Sequence, residues 1–90
     1  MNDQAQASGF AFPGVFELAA MGPHDGGLER AVPDTLEALG VEVLRERLQV
    51  RPSSQGKYVS VRVAFVAESR EQYDAAHAAL RAHPEVKWTL

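Results

Sequence analysis

Residues 58 to 65, YVSVRVAF, alternate between apolar and other side chains with a period of two. One parity consists of Val59, Val61, Val63 and Phe65, and the other of Tyr58, Ser60, Arg62 and Ala64. Successive side chains of a β-strand point to opposite faces of its sheet, so this period predicts a strand with one buried face. The β-branched valines favour the same prediction. Any fold of this chain has to give that apolar face a partner layer.

Three further segments alternate in the same way and predict strands over about 14 to 21, about 43 to 51, and 86 to 90. In the second of these, Glu46 falls on the apolar parity and is a misfit. In the last, Val86, Trp88 and Leu90 share the apolar parity, which leaves Lys87 on the other face.

Two segments have helical periodicity. Apolar residues at 28, 32, 36 and 39 form one stripe, and Gly40 is a suitable C-terminal stop. Pro33 lies within this stripe, and because the stripe keeps its phase through the proline, we expect one kinked helix. A second helix begins at Ser69 with Gln72 in the capping-box position, and His83-Pro84 ends it.

The order strand, helix, strand, strand, helix, strand predicts a ferredoxin-like α+β fold. Its two right-handed crossovers give a four-stranded antiparallel sheet with both helices on one face and the first and third strands in the centre. Ninety residues, 46% apolar and 23% charged, suit one small soluble domain. Residues 1–9 are small and polar and predict a disordered tail, so the domain would span 10–90.

The loop between the second and third strands, RPSSQGK, has two interpretations. Ser53, Ser54 and the backbone around Gly56 could donate hydrogen bonds to an anion, with Arg51 and Lys57 adding positive charge. Phosphate-binding loops usually lead into a helix, whereas this loop leads into a strand. A hairpin turn is therefore the favoured interpretation.

The sheet face away from the helices is expected to be open and basic along one edge. Strand parity puts four arginines on it, namely Arg45, Arg47, Arg51 and Arg62. Glu17 is expected between Arg62 and Lys87, as a cross-strand ion pair. Charges on an edge strand discourage aggregation, and the same charges could bind an anion or an acidic partner. The net charge of −3 argues against a general nucleic-acid binder.

Patterns typical of enzymes and metalloproteins are missing from the sequence. There is no cysteine, the three histidines lack metal-ligand spacing, and no strand-turn-helix elbow surrounds a serine. Tyr58 faces outward but Phe65 has the core parity, so we expect no base-stacking platform for RNA. The start has no basic n-region, and no apolar run approaches the ~20 residues of a membrane helix. We therefore expect a cytoplasmic protein without a cofactor, membrane segment or catalytic activity.

Four segments resemble the YbeD-like family, small bacterial proteins that share a domain of unknown function. They are FPGVFELAAMG (12–22), RPSSQGKYVSVRV (51–63), ESREQYDAAHAAL (68–80) and HPEVKWTL (83–90). The resemblance implies a ferredoxin-like fold similar to ACT-type regulatory domains, which bind small metabolites such as amino acids, commonly at dimer interfaces near the first strand-helix loop. Here that loop contains Met21, Gly22 and Pro23. Family members are also loosely associated with lipoate-attachment genes.

The leading hypothesis is a non-catalytic regulatory or ligand-sensing domain that resembles ACT domains, acting as a small oligomer such as a homodimer or by docking to another protein. The alternative is a protein-interaction adaptor that uses the open face and the basic edge strand, with a link to lipoate metabolism; an RNA-binding module ranks third. The candidate surface for a metabolite or a protein partner consists of Met21, Gly22, Arg45, Arg47, Arg51, Ser53, Ser54 and Arg62.

Overall fold

A computed structural model describes residues 11–90, in which five antiparallel strands form one sheet and two helices pack against it. The elements in chain order are β1 (Gly14–Pro23), α1 (Leu28–Ala38), β2 (Glu42–Val43), a 3-10 turn (Arg45–Arg47), β3 (Gln49–Pro52), β4 (Tyr58–Ala67), α2 (Arg70–Ala82) and β5 (Trp88–Thr89). The disordered tail predicted for residues 1–9 lies outside the described residues.

The two long strands, β1 and β4, form the centre of the sheet. They pair along their whole lengths, from Gly14 opposite Ala67 to Pro23 opposite Tyr58. β5 lies along the other edge of β1, while β2 and β3 both pair with the outer edge of β4. The predicted α+β fold, with its first and third strands central, is confirmed.

The predicted second strand is divided into β2 and β3 by the 3-10 turn. Val43 pairs with Phe65 and Gln49 pairs with Arg62, so five residues of the edge (44–48) lie opposite only two of β4 (63 and 64). The turn is closed by the Arg47 N–H, which donates to the Leu44 carbonyl at 2.9 Å. The extra residues place Glu46, which breaks the alternation, outside the sheet. Because of them, the side-chain alternation of β3 does not continue that of β2.

The core lies between the sheet and the helices. The apolar parity of β4 is buried as predicted, whereas the Arg62 side chain is 48% exposed. The fully or almost fully buried residues that meet in this layer include Leu18, Ala20, Leu28, Val32, Leu36, Val61, Val63, Phe65, Ala76 and Leu80. The helical layer therefore covers one face of β1 and β4, and it does not reach the other.

The start of α2 and the ends of both helices lie where local signals predict. α1 continues through the buried Pro33, and Gly40 follows it with a φ of 83°, a left-handed conformation that favours glycine. At the start of α2, the Ser69 hydroxyl accepts a hydrogen bond from the Gln72 N–H at 3.1 Å. The Gln72 side chain in turn accepts from the Glu68 N–H at 2.8 Å. Within residues 11–90, no helix has the length and apolar composition needed to cross a membrane.

Candidate binding face

The open face of the sheet carries a row of four side chains that crosses four strands. Arg51 of β3 pairs with Ser60 of β4, Ser60 pairs with Met21 of β1, and Met21 pairs with Trp88 of β5. Residues directly opposite each other in an antiparallel sheet project to the same face, so the four side chains lie side by side. We call this set, Arg51, Ser60, Met21 and Trp88, the cross-strand row.

An apolar groove runs along the cross-strand row, from the β3–β4 hairpin to β5. Its volume is about 310 Å³, and it is lined by Met21, Arg51, Pro52, Ser53, Tyr58, Val59, Ser60 and Trp88. The rings of Tyr58 and Trp88 approach with their centroids 5.7 Å apart and their planes inclined at 54°. These two residues are 43% and 50% exposed, which is high for aromatic groups of their size. The groove thus presents aromatic surface to any molecule on this face.

A second, more polar depression adjoins the groove on the β3 side. It has a volume of about 360 Å³ and is lined by Gln49, Val50, Arg51, Ser60 and Arg62. Arg51 and Ser60 line both cavities. The two cavities are therefore parts of one continuous surface, apolar at one end and cationic at the other.

Ion pairs on this face differ partly from the prediction. Glu17 lies between two arginines, with its carboxylate 3.2 Å from Arg47 and 3.6 Å from Arg62. The predicted Glu17–Arg62 pair is confirmed, but the prediction that Lys87 is the second neighbour is wrong. The β1–β5 register sets Met21 opposite Trp88, so Lys87 lies far along the sheet from Glu17. Within residues 11–90, Arg51 forms no ion pair.

Arg45 does not lie on the open face, and its predicted placement there is wrong. The 3-10 turn directs its guanidinium toward α1, where it donates to both oxygens of Glu37 at 2.8 and 2.7 Å and to Asp34 at 2.8 Å. The hydrogen bond from Arg45 lowers the pKa of Glu37, and these two acceptors raise the pKa of the guanidinium. Arg45 thus ties the edge of the sheet to a helix.

The loop after β3 is a hairpin turn whose polar groups are largely used within it. The Ser53 N–H donates to the Tyr58 carbonyl at 2.8 Å, and the Ser53 hydroxyl accepts from the Tyr58 N–H at 3.2 Å. Gly56 has a φ of 75° and donates to the Ser53 carbonyl at 3.0 Å. Ser53 lines the groove, whereas Ser54 is exposed and lines neither cavity of this face. The geometry supports the hairpin interpretation over an anion cradle.

Met21 and Gly22 are adjacent in β1 but face opposite sides. Met21 belongs to the cross-strand row, while Gly22 faces the core. A Cβ on Gly22 would lie 2.0 Å from the Glu85 carbonyl oxygen and 2.8 Å from the Leu28 side chain. The glycine therefore permits the segment before β5 to approach β1. That approach is completed by the Lys87 N–H, which donates to the Met21 carbonyl at 2.7 Å.

Trp88 is the functional candidate that sequence reasoning missed. Its predicted parity set it toward the core with Val86, but the structure puts it on the open face. Thr89 faces the helices instead, with its hydroxyl 3.0 Å from the His77 ring. Val86 packs against the core from the turn that precedes β5, so it need not share the parity of the strand. The alternation of residues 86–90 therefore cannot predict which side chain of the two-residue strand β5 faces inward. The register of β5 with β1 determines this.

The acidic and histidine side chains of residues 11–90 form no group of three or more that could hold a metal ion. The features that stand out on the described surface are the groove and the cationic depression beside it.

Comparison with known proteins identifies the family. A family model described as Protein of unknown function (DUF493) matches residues 7–90. The chain belongs to this DUF493 family. A UPF0250 protein of Stenotrophomonas maltophilia is 65% identical over 82 residues, which cover 91% of this chain and 89% of that protein. A UPF0250 protein of Xylella fastidiosa is 58% identical over the same shares. The predicted YbeD-like membership is confirmed.

Solved structures of low sequence identity share the fold of this DUF493 domain. Protein HP0495 from H. pylori has a TM-score of 0.73 at 13% identity, covering 90% of this chain and 85% of that one. The ACT domain from GTP pyrophosphokinase of Chlorobium tepidum has a TM-score of 0.67 at 6% identity, covering 84% and 94%. The predicted likeness to the ACT-type fold is confirmed.

Proposed function

We propose that this DUF493 domain is a non-catalytic regulatory module that binds a small ligand on the open face of its sheet. The observation that carries the proposal is the continuous surface in which Arg51 and Ser60 line both the apolar groove and the cationic depression. The groove volume of about 310 Å³ lies at the lower end of the range of small-molecule sites. Such sites are mostly apolar and contain a few placed polar groups, which is the composition of this groove.

The ACT-type fold supports the regulatory part of the proposal. One structural neighbour is the ACT domain of a GTP pyrophosphokinase, where the domain is part of a larger enzyme. A domain that binds without catalysing a reaction can regulate a partner protein if it binds one state of that partner more tightly than the other. The helices do not cover the open face, which contains the groove and the depression. A partner protein that packs on this face would therefore either compete with the ligand or contribute further contacts to it.

The test is a ligand screen on the whole chain against amino acids and small carboxylates. Trp88 is the single tryptophan and lines the groove, so its fluorescence reports occupancy directly. A ligand that binds the folded state should also raise the melting temperature, by an increment that grows with the logarithm of its concentration once that exceeds the dissociation constant. If no compound stabilises the domain or changes Trp88 emission, the sensor proposal fails.

Two serine variants locate the binding surface. Ser60→Phe fills the floor shared by the groove and the depression and should abolish the response to any compound found. Ser54→Phe introduces the same ring on the exposed hairpin, outside both cavities, and should leave binding intact. Equal binding by the two variants would show that the ligand binds elsewhere than on the open face.

A protein-interaction adaptor is the second candidate function, and one observation favours it. Trp88 and Leu90 are exposed hydrophobic residues two positions apart at the β5 edge of the sheet, with exposures of 50% and 74%. Neighbouring exposed apolar groups are typical of surfaces that bind another protein or a second copy. Light scattering over a range of concentrations distinguishes a homodimer from a monomer. An adaptor would bind its partner without any response to small ligands.

A further inference from the structure

We infer that the groove on the open face binds a monocarboxylate with an apolar body, in preference to a zwitterionic amino acid. The apolar body would rest on Met21, Tyr58 and Trp88, and the carboxylate would pair with Arg51. This inference rests on the proposed function and names the chemical class of its ligand.

The apolar end of the site is defined by side chains from three strands. Met21 contributes a flexible thioether from β1, which adapts to irregular apolar shapes. Tyr58 and Trp88 pack against each other as an inclined pair, and each keeps about half of its surface exposed at the groove. A planar or aliphatic group that rests on this exposed surface removes aromatic area from water, which favours binding.

The charged end of the site is Arg51. Its neighbours Arg47 and Arg62 share the carboxylate of Glu17, whereas Arg51 forms no ion pair within the described part of the chain. A guanidinium presents a planar fork of donors that matches a carboxylate in a bidentate pair. Because Arg51 lines both cavities, a carboxylate bound to it would leave the rest of the molecule free to extend over Met21 toward Trp88.

The preference against amino acids follows from the lining residues. None of the side chains that line the groove or the depression, all within residues 11–90, is a carboxylate. An ammonium group beside Arg51 would therefore meet a like charge without a counter-ion from the lining side chains. A carboxylate that lacks the ammonium avoids this cost. The same reasoning predicts that a neutral amide of the same shape loses the charge-assisted pair with Arg51.

A matched series of three compounds tests the inference on the whole chain. 3-Phenylpropionate, phenylalanine and 3-phenylpropanamide share one apolar body and differ in charge. Trp88 fluorescence titration and calorimetry give their dissociation constants. We expect 3-phenylpropionate to bind about tenfold more tightly, or better, than either of the other two. Added salt should weaken its binding and leave that of the amide almost unchanged.

The variant Arg51→Gln tests the anchor. It should weaken the binding of 3-phenylpropionate by about tenfold, so that this compound no longer binds more tightly than the amide. Arg51 is exposed, so the variant should fold, which circular dichroism verifies. Arg30→Gln is the matched control, because Arg30 is exposed on α1, on the opposite side of the sheet, and should leave all three dissociation constants unchanged.

The outcomes separate this inference from the proposed function. If phenylalanine binds as tightly as 3-phenylpropionate, or if Arg51→Gln binds like the unmodified chain, the inference is overturned while ligand binding on the open face stands. If neither this series nor the wider screen shows any binding, both the inference and the proposed function are overturned.

Discussion

Replacing Gly22 by alanine should destabilise the domain through one steric contact. A Cβ at this position lies 2.0 Å from the Glu85 carbonyl oxygen, and real Cβ atoms essentially never show contacts under 3.0 Å. The second close atom belongs to Leu28, which is fully buried, so its side chain cannot move out into solvent. Either the backbone before β5 or the end of β1 must shift. Overpacking of this kind costs about 1–3 kcal/mol, and a backbone obstacle sets our expectation at about 3 kcal/mol.

Urea unfolding, followed by Trp88 fluorescence, gives the free energy of unfolding of each variant. In a domain of this size, about 3 kcal/mol corresponds to a fall in melting temperature of roughly 12 to 24 °C. Gly26→Ala is the control, because the nearest atom to its new Cβ, at 2.7 Å, is the far end of the Glu85 side chain, which can rotate away, and the next atoms, the Glu85 Cβ and the Pro23 carbonyl oxygen, are both at 3.3 Å and need only a small adjustment. Both substitutions reduce the entropy of the unfolded chain alike, so their difference isolates the steric term. Stabilities within about 0.5 kcal/mol of each other would refute the reasoning.

Three further predictions concern other parts of the fold. Ser69→Ala removes the hydroxyl that caps α2 and should cost about 1 kcal/mol in urea unfolding, whereas Ser54→Ala should cost almost nothing; equal losses would contradict the capping role. Phe65→Ala empties a fully buried site and should cost about 3–5 kcal/mol, so a melting curve close to that of the unmodified chain would be inconsistent with the core described here. For Glu37, Arg45 lowers the pKa of the folded state below its ordinary value of 4.5, so the stabilisation is present above that value and is lost as the pH falls through the folded pKa. The stability difference between the unmodified chain and Glu37→Gln should therefore be largest near neutral pH and fall as the pH drops below 4.5 and through the folded pKa, and a difference independent of pH would exclude this pair as its cause.

The elements that could be predicted are those whose signals are local. The alternation of 58–65 and the cap at Ser69 each depend on residues within one strand or one helical turn, and both are found as predicted. The misfit at Glu46 was also a correct local signal, because the edge strand breaks there. What this misfit could not show is the direction of Arg45, since that depends on how far the turn rotates the chain and on where α1 lies.

The candidate site was predicted in part. Arg51, Arg62 and Met21 were assigned to the surface, and the structure brings all three to the open face. Trp88 was missed because β5 has two residues, too few for an alternation to show which one faces inward. The aromatic half of the groove was therefore absent from the prediction, although Tyr58 was expected to face outward.

By itself, the sequence determined the period of each strand, the stripe of each helix and the order of the elements, because these are consequences of backbone geometry over a few neighbouring residues. Only the tertiary structure decided which side chains from different strands stand beside one another. The cross-strand row joins residues 21, 51, 60 and 88, and its members meet through the registers of three strand pairs. Register is set by turn geometry and by packing against the helices, and a shift of one residue would turn a side chain to the opposite face. The groove, with its aromatic end and its arginine, is therefore a product of register and not of any single segment.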